Sequence, residues 1–147
     1  MSIFNAIDIS ASGLTAQRLR MDTISENIAN VNTTRTSAGG PYRRKVVVFE
    51  SREPDDRFAG AFNKALEKQK TGEGVRAIGI AEDNTPFKMN YDPNHPDANA
   101  QGYVMMPNVN IVTEMVDMIS ATRAYEANTT AVKSAKDIAL KALEIGR

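Results

Sequence analysis

The stretch Asn27–Lys45, NIANVNTTRTSAGGPYRRK, decides how this chain is read. Before it runs a long, evenly spaced apolar pattern, and after it come short β-rich runs. Asn and Thr bond the backbone locally and so favour caps and turns over helix interiors, while Gly leaves the backbone unrestrained. A helix therefore ends here. The amides have a second possible use, since a single buried Asn can fix the register in which helices or subunits pair.

Toward the N-terminus, Phe4, Ile7, Ala11, Leu14, Met21 and Ile28 keep a heptad-like spacing, interrupted where Arg18 and Ser25 fall on the line. Ile24 and Val31 widen the stripe at its end. The pattern predicts a helix from Ile3 to Val31, about 42 Å long, with Ser2 as N-cap. Gly13 in its interior costs about 1 kcal/mol relative to Ala and marks an expected bend.

On the far side, Val112, Met115, Val116, Ile119, Val132, Ala135, Ile138, Ala139, Ala142 and Ile145 keep helical spacing. Pro107 and Asn108 are suited to open and cap this helix, and Gly146 to stop it. The stripe thins over the small, polar residues Thr122–Thr130. A helix of roughly 57 Å is long for a globular domain and predicts coiled-coil packing.

The middle is of another kind. Arg44–Glu50 (RKVVVFE) reads as a buried strand and Gly74–Glu82 (GVRAIGIAE) as a second, while Phe87–Tyr91 alternates like a half-exposed one. DPNHPDANAQG is dense in turn formers. Phe58, Phe62 and Leu66, four apart, predict a short amphipathic helix within residues 56–70. The expected fold is mainly α: two long terminal helices (1–32 and 108–147) forming an antiparallel coiled coil, with a small β-rich insert (33–107) between them. A narrow stripe on a long helix needs the other terminal helix, and neighbouring copies, to cover it. Phe4, Ile7, Leu14, Met21, Ile24, Ile28, Val112, Met115, Val116, Ile119, Val132 and Ile138 are the expected packing residues.

Composition narrows the function. Eighteen basic and eighteen acidic residues cancel, so the broad positive field used by nucleic-acid binders is missing. There is no Cys, which removes disulfides and thiolate metal sites. No apolar run reaches the about 18 residues of a membrane span. The opening MSIFNAIDISASGLTAQRLR lacks the basic head and continuous apolar stretch of a secretory signal. Without such a signal, the Asn32-Thr33-Thr34 and Asn128-Thr129-Thr130 glycosylation patterns are incidental. The lone His95 lies between Asp92 and Asp97, but the prolines and asparagines around it describe a turn. Neither Gly39-Gly40 nor Gly72-x-Gly74 has phosphate-loop spacing. Arg43–Lys45 reads as a solvated strand flank, and the paired methionines Met105-Met106 and Met115/Met118 as helical core. No catalytic, cofactor or metal site is expected.

Two segments carry a family resemblance. SASGLTAQRLRMDTISENIANVNTTRT resembles the N-terminal signature of the flagellar rod, hook and hook-associated axial proteins, in which a helix closes with Asn-Ile-Ala-Asn-x-x-Thr. Here those positions are Asn27, Ile28, Ala29, Asn30 and Thr33, with Glu26 where many members carry a further Asn. MVDMISATRAYEANTTAVKSAKDIALKALEIGR resembles the family's closing helix, with its Arg-x-Tyr-x-Ala-Asn core at Arg123, Tyr125, Ala127 and Asn128. GGPYRRK, YDPNHPDANAQGYVMMPNVN and the small insert resemble the short, proximal-rod members rather than the long hook and distal-rod ones.

The resemblance implies a structural, non-catalytic subunit of the basal-body rod, polymerising through its terminal helices to pass torque from motor to hook. Its implied partners are other rod proteins, copies of itself and the flagellar type III export apparatus, with no nucleic acid and no small-molecule substrate. Its implied place is the rod in the periplasmic space, reached without a cleaved signal peptide. Export recognition in the family is associated with Phe-x-x-x-apolar patterns, which Phe58–Phe62 fits loosely; a helix core face accounts for it better. The terminal helices are expected to order on assembly. The rival readings are a cytoplasmic helical adaptor or export chaperone and, more weakly, a small enzyme built around His95.

Overall fold

The computed structural model describes residues 3–52 and 74–145. The predicted helix within 56–70, the Ser2 cap and the Gly146 stop lie outside the described residues. Helix α1 spans Ile3–Ala29, followed by β1 (Lys45–Ser51), β2 (Val75–Glu82), β3 (Lys88–Tyr91), β4 (Tyr103–Met106) and helix α2 (Ile111–Ile145). Two long helices thus enclose two antiparallel two-stranded sheets, β1–β2 and β3–β4.

Helix α1 stops two residues short of the expected Val31. Asn30 folds back, its amide reaching the Glu26 carbonyl at 3.0 Å while its Oδ1 accepts the Thr33 hydroxyl at 3.1 Å. The loop then closes on itself, with Tyr42 N–H donating to the Thr33 carbonyl at 3.0 Å. Helix α2 begins at Ile111, not at Asn108. Asn110 is the cap, its Oδ1 taking the Val112 N–H at 3.1 Å. Asn108 serves the insert instead, accepting the Arg44 N–H and donating to the Asp83 carbonyl and the Thr85 hydroxyl. The polar middle of α2 stays helical because its side chains bond their own backbone one turn back: Thr122 to Met118, Asn128 to Ala124, Thr129 to Tyr125 and Thr130 to Glu126.

Strand β1 was expected to be buried throughout, yet only Val47 is. A two-stranded ribbon has one covered face, so Val46 and Val48 stay in solvent; the register slips between Val48 and Phe49. The covered face meets α1. Ser12 Oγ accepts the Val75 N–H at 3.1 Å and donates to the Ile9 carbonyl at 2.7 Å. Gly74, with φ of 105°, lies against Ser12, where a Cβ would overlap its hydroxyl. Met105 and Met106 belong to strand β4 rather than to a helix. Apolar burial within the chain is thin: Ala16, Ile24, Tyr42, Val47, Val104, Pro107, Val109 and Ala121 are the buried apolar residues among those described.

Candidate packing surface and polar clamp

Helices α1 and α2 meet along small and polar residues together with part of the stripes read from the sequence: Met21 and Ile24 on α1, and Val132, Ala135 and Ala139 on α2, are covered. At one point Gly13 of α1 lies against Asn128 of α2. Further along, Met21 touches Thr122, Arg20 pairs with Asp117 at 3.2 Å and Asn27 donates to Glu114 at 3.1 Å. The covered row of α2 is Glu114, Met118, Ala121, Tyr125, Asn128, Val132, Ala135 and Ala139, all buried or half-buried, and its steps alternate between four and three residues. Gly13 has a packing reason: with no Cβ it lets the helices approach at Asn128.

The closing end of this contact is a buried polar cluster. Asn27, 1% exposed, uses its whole hydrogen-bonding capacity. Its Nδ2 donates to the Lys45 carbonyl (2.9 Å) and to Glu114 Oε2 (3.1 Å), and its Oδ1 accepts the Tyr42 hydroxyl (2.9 Å) and the Lys45 N–H (2.9 Å). One amide therefore joins α1, the loop, β1 and α2. Glu114, fully buried, also accepts Arg44 Nε at 2.7 Å. The other guanidinium nitrogens of Arg44 reach Asp83 at 3.5 Å and Asp117 at 3.6 Å. A buried carboxylate survives only with such partners, because desolvation penalises its charge.

The cluster shifts its own titrations. Burial, aided by the nearby Glu26, Glu114 and Glu82 charges, pushes the Tyr42 phenol up to about 12. For Arg44, burial works against the charge, but the Glu114 and Asp83 carboxylates outweigh it and hold the guanidinium above its ordinary value. Hydrogen bonds from Thr85, then Arg44, hold the Asp83 carboxyl below the usual range.

The basic run expected to be solvated is thus engaged. Besides Arg44, Arg43 lies over the Phe87 ring at 4.6 Å and Lys45 over the Tyr42 ring at 5.6 Å. Glu114 and Tyr42 were not singled out by the sequence reading, although Glu114 sits on the three-four row that ends at Ala139. Of the family-motif residues, Asn27, Asn30 and Thr33 gather at the loop, while Asn128 marks the Gly13 contact fourteen residues away along α1. Tyr125 is half-buried, and Arg123 is exposed with a 3.6 Å pairing to Glu126.

The expected packing residues divide sharply. Ile24 is buried within the chain; Ile7, Leu14, Met21, Ile28 and Val132 are half-buried. Phe4, Val112, Met115, Val116, Ile119 and Ile138 are exposed. With about 3.6 residues per turn, the exposed row Val112–Val116–Ile119 lies on roughly the opposite side of α2 from the row facing α1. Over its first turns the helix buries Glu114 toward its own chain and holds Val112, Val116 and Ile119 outward.

His95 braces its turn, its Nδ1 accepting the Asp97 N–H at 3.1 Å. Among the described residues no group of three or more His, Asp or Glu side chains is placed to hold a metal ion, and no helix is long and apolar enough to cross a membrane. The cleft of about 610 Å³ between α1 and β2 is lined by Asp22 as its one carboxylate.

Residues 7–35 match the family described as "Flagella basal body rod protein", and residues 100–145 match "Flagellar basal body rod FlgEFG protein C-terminal". The chain is 50% identical to the flagellar basal-body rod protein FlgC of Borreliella burgdorferi, covering 99% of this chain and 98% of that one. It is 46% identical to FlgC of Bacillus subtilis over the whole of both chains. With FlgC of Aquifex aeolicus it shares 44% over 94% of this chain and 92% of the relative. These relatives are rod proteins, which sets aside the readings as adaptor, chaperone or enzyme. The chain belongs to the flagellar basal-body rod protein family, as a structural subunit of the basal body and not an enzyme.

Proposed function

We propose that the chain polymerises through its terminal helices, with copies of itself and with other rod proteins, into the periplasmic rod that passes torque from motor to hook. The observation that carries this is the outward apolar row of α2, Val112, Met115, Val116 and Ile119. Such a row on a long helix is covered only by a neighbour. Within the subunit, the two helices pair as an antiparallel coiled coil. The order of contacts supports this, since fourteen residues forward on α1, from Gly13 to Asn27, correspond to fourteen back on α2, from Asn128 to Glu114. The Asn27–Glu114–Arg44 cluster ties the insert between residues 33 and 107 to that pair, so load on one reaches the other.

Delivery by the flagellar type III apparatus, without a cleaved signal peptide, accords with the family. In this reading the helices order as they assemble, because so little apolar surface is buried inside one chain. The test is Val116→Asp, with Leu14→Asp and Ile28→Asp beside it. Loss of rod assembly with the far-ultraviolet spectrum of the insert retained is the expected result; normal flagella in all three would overturn the proposal. Circular dichroism of the monomer bears on ordering, and full helix content unchanged on assembly would refute that part.

A further inference from the structure

Strand β1 keeps one edge open. Its even-numbered residues turn their backbone groups to β2: the Arg44 carbonyl accepts the Asp83 N–H at 2.8 Å, and Arg52 N–H donates to the Gly74 carbonyl at 2.8 Å. Alternation turns the N–H and C=O of Lys45, Val47, Phe49 and Ser51 the other way. Lys45 shows this directly, because its N–H and C=O both bond the Asn27 side chain, whose amide takes the place of a strand's peptide group. Past Lys45 the edge has no such cover. Among the described residues Val47, Phe49 and Ser51 present three successive rungs without a backbone partner.

The β2 edge has the opposite character. Helix α1 guards one rung on each side of the ribbon, Ser12 taking the outward Val75 N–H and Asn27 serving Lys45. Further along β2 the extra residue Ile78 breaks the regular spacing where the register slips. Side-chain caps and bulges are the devices that stop strands from adding to a sheet. Of this ribbon's two edges, only β1 from Val47 to Ser51 lacks them.

A void of about 270 Å³ opens beside that edge, lined by Val46, Val47 and Phe49 and, from the helices, by Thr23, Ile24 and Asp117. At about 30 Å³ per water it has room for backbone rather than for a single water. The open rungs recur every two residues, about 6.7 Å apart, which is the spacing of an extended chain's own peptide groups. Val46 and Val48, 39% and 43% exposed on the outer face, are apolar neighbours for alternate side chains of an added strand. We propose that the Val47–Ser51 edge docks an extended segment of another protein, apolar at alternate positions, as a third strand beside β1. The β1 edge of a second copy offers the same three rungs, but pairing like with like sets the two chains about a two-fold axis and closes the contact. Rod growth is head-to-tail, so the choice of a different protein rests on the polymerisation proposed above.

The full-length, isotope-labelled chain is titrated with the acetylated and amidated heptapeptide Lys-Thr-Val-Thr-Val-Thr-Lys, and amide exchange is read residue by residue. With peptide at about ten times its Kd, exchange at Val47, Phe49 and Ser51 should slow about tenfold, with a smaller change at Val46, Val48 and Glu50, which already face β2. Ser51→Pro removes an outward N–H at an exposed position and spares the bonds to β2. It should leave circular dichroism unchanged and weaken the peptide about fivefold. Slowing confined to the Val112–Ile119 row, or none at all, would overturn the site. Rungs already protected in the dilute chain would overturn it as well, by showing the edge covered from within. Protection that grows with the concentration of the chain alone would overturn the assignment to another protein. In that case a closed dimer in sedimentation would count against polymerisation too, whereas larger polymers would leave it standing.

Discussion

Asn128 of α2 presses on Gly13 of α1 so closely that a Cβ built on Gly13 falls 2.9 Å from the Asn128 Oδ1 and 3.1 Å from its Cγ. Replacing Gly by Ala inside a helix ordinarily stabilises by about 1 kcal/mol, and overpacking a contact costs about 1–3 kcal/mol. The Asn128 amide is held by the Ala124 carbonyl and gives way reluctantly. Gly13→Ala should therefore lower stability by about 1 kcal/mol in urea denaturation. Gly13→Ala with Asn128→Ala should recover it, because the helix gain remains once the obstacle is removed. Stabilisation by Gly13→Ala alone would mean that the helices separate freely here.

Arg44 and Glu114 form the buried charge pair of the clamp. Arg44→Ala strands a buried carboxylate and should cost about 3–5 kcal/mol, whereas Arg44→Met with Glu114→Leu removes both charges and should cost much less. A double-mutant cycle measured by denaturation reads the coupling directly. Additive single losses would show that the two charges are independently solvated.

Asn27 offers a sharper substitution. Asn27→Asp keeps the shape but replaces two donated hydrogen bonds with a carboxylate facing Glu114 and the Lys45 carbonyl. At neutral pH it should destabilise more than Asn27→Ala, by about 3 kcal/mol or more, since it adds an unpaired buried charge. Lowering the pH should protonate the new carboxyl and close most of that gap. The thermal midpoint of both variants between pH 4 and 7 is the measurement.

Tyr42 supplies a test in alkali. Its phenol ionises near 12 in the folded chain and near 10 when unfolded, so the unfolded state gives up its proton first. The stability this confers is complete below about pH 10 and is lost as pH rises through 12. Tyr42→Phe should be less stable at pH 8, having lost the bond to Asn27, and its midpoint should fall less steeply between pH 10 and 12. Parallel slopes for the two proteins would remove Tyr42 as the cause.

The helices and three of the four strands were legible because period and turn chemistry are local. The Asn-Thr-Gly exit, the turn around His95 and the strand at Phe87–Tyr91 each declare themselves within a few residues, although that strand, read as half-exposed, is exposed from Lys88 to Tyr91. The line of contact between the helices was not legible in the same way. An apolar stripe was read as the seam, whereas Gly13 and Asn128 make the close approach and Glu114 the buried anchor. Periodicity finds grease, and here half of it, above all Val112, Met115, Val116 and Ile119 of α2, is exposed. The β4 strand was hidden because its two methionines fit a helix as readily, until pairing with β3 decides. Arg44 was misread because a three-residue basic run carries no mark of the carboxylates that tertiary structure brings to it.

The opening turns of α2, with Glu114 buried inward and Val112, Val116 and Ile119 outward, have a practical corollary. Sulfate and similar excluded salts strengthen apolar association, while charges sealed from solvent feel ionic screening weakly. In the polymer proposed above, adding ammonium sulfate should therefore draw neighbours together without unfastening any molecule, and diluting it should let them part intact. Solvent composition then serves as a reversible handle on filament growth, separate from anything that melts the individual chain.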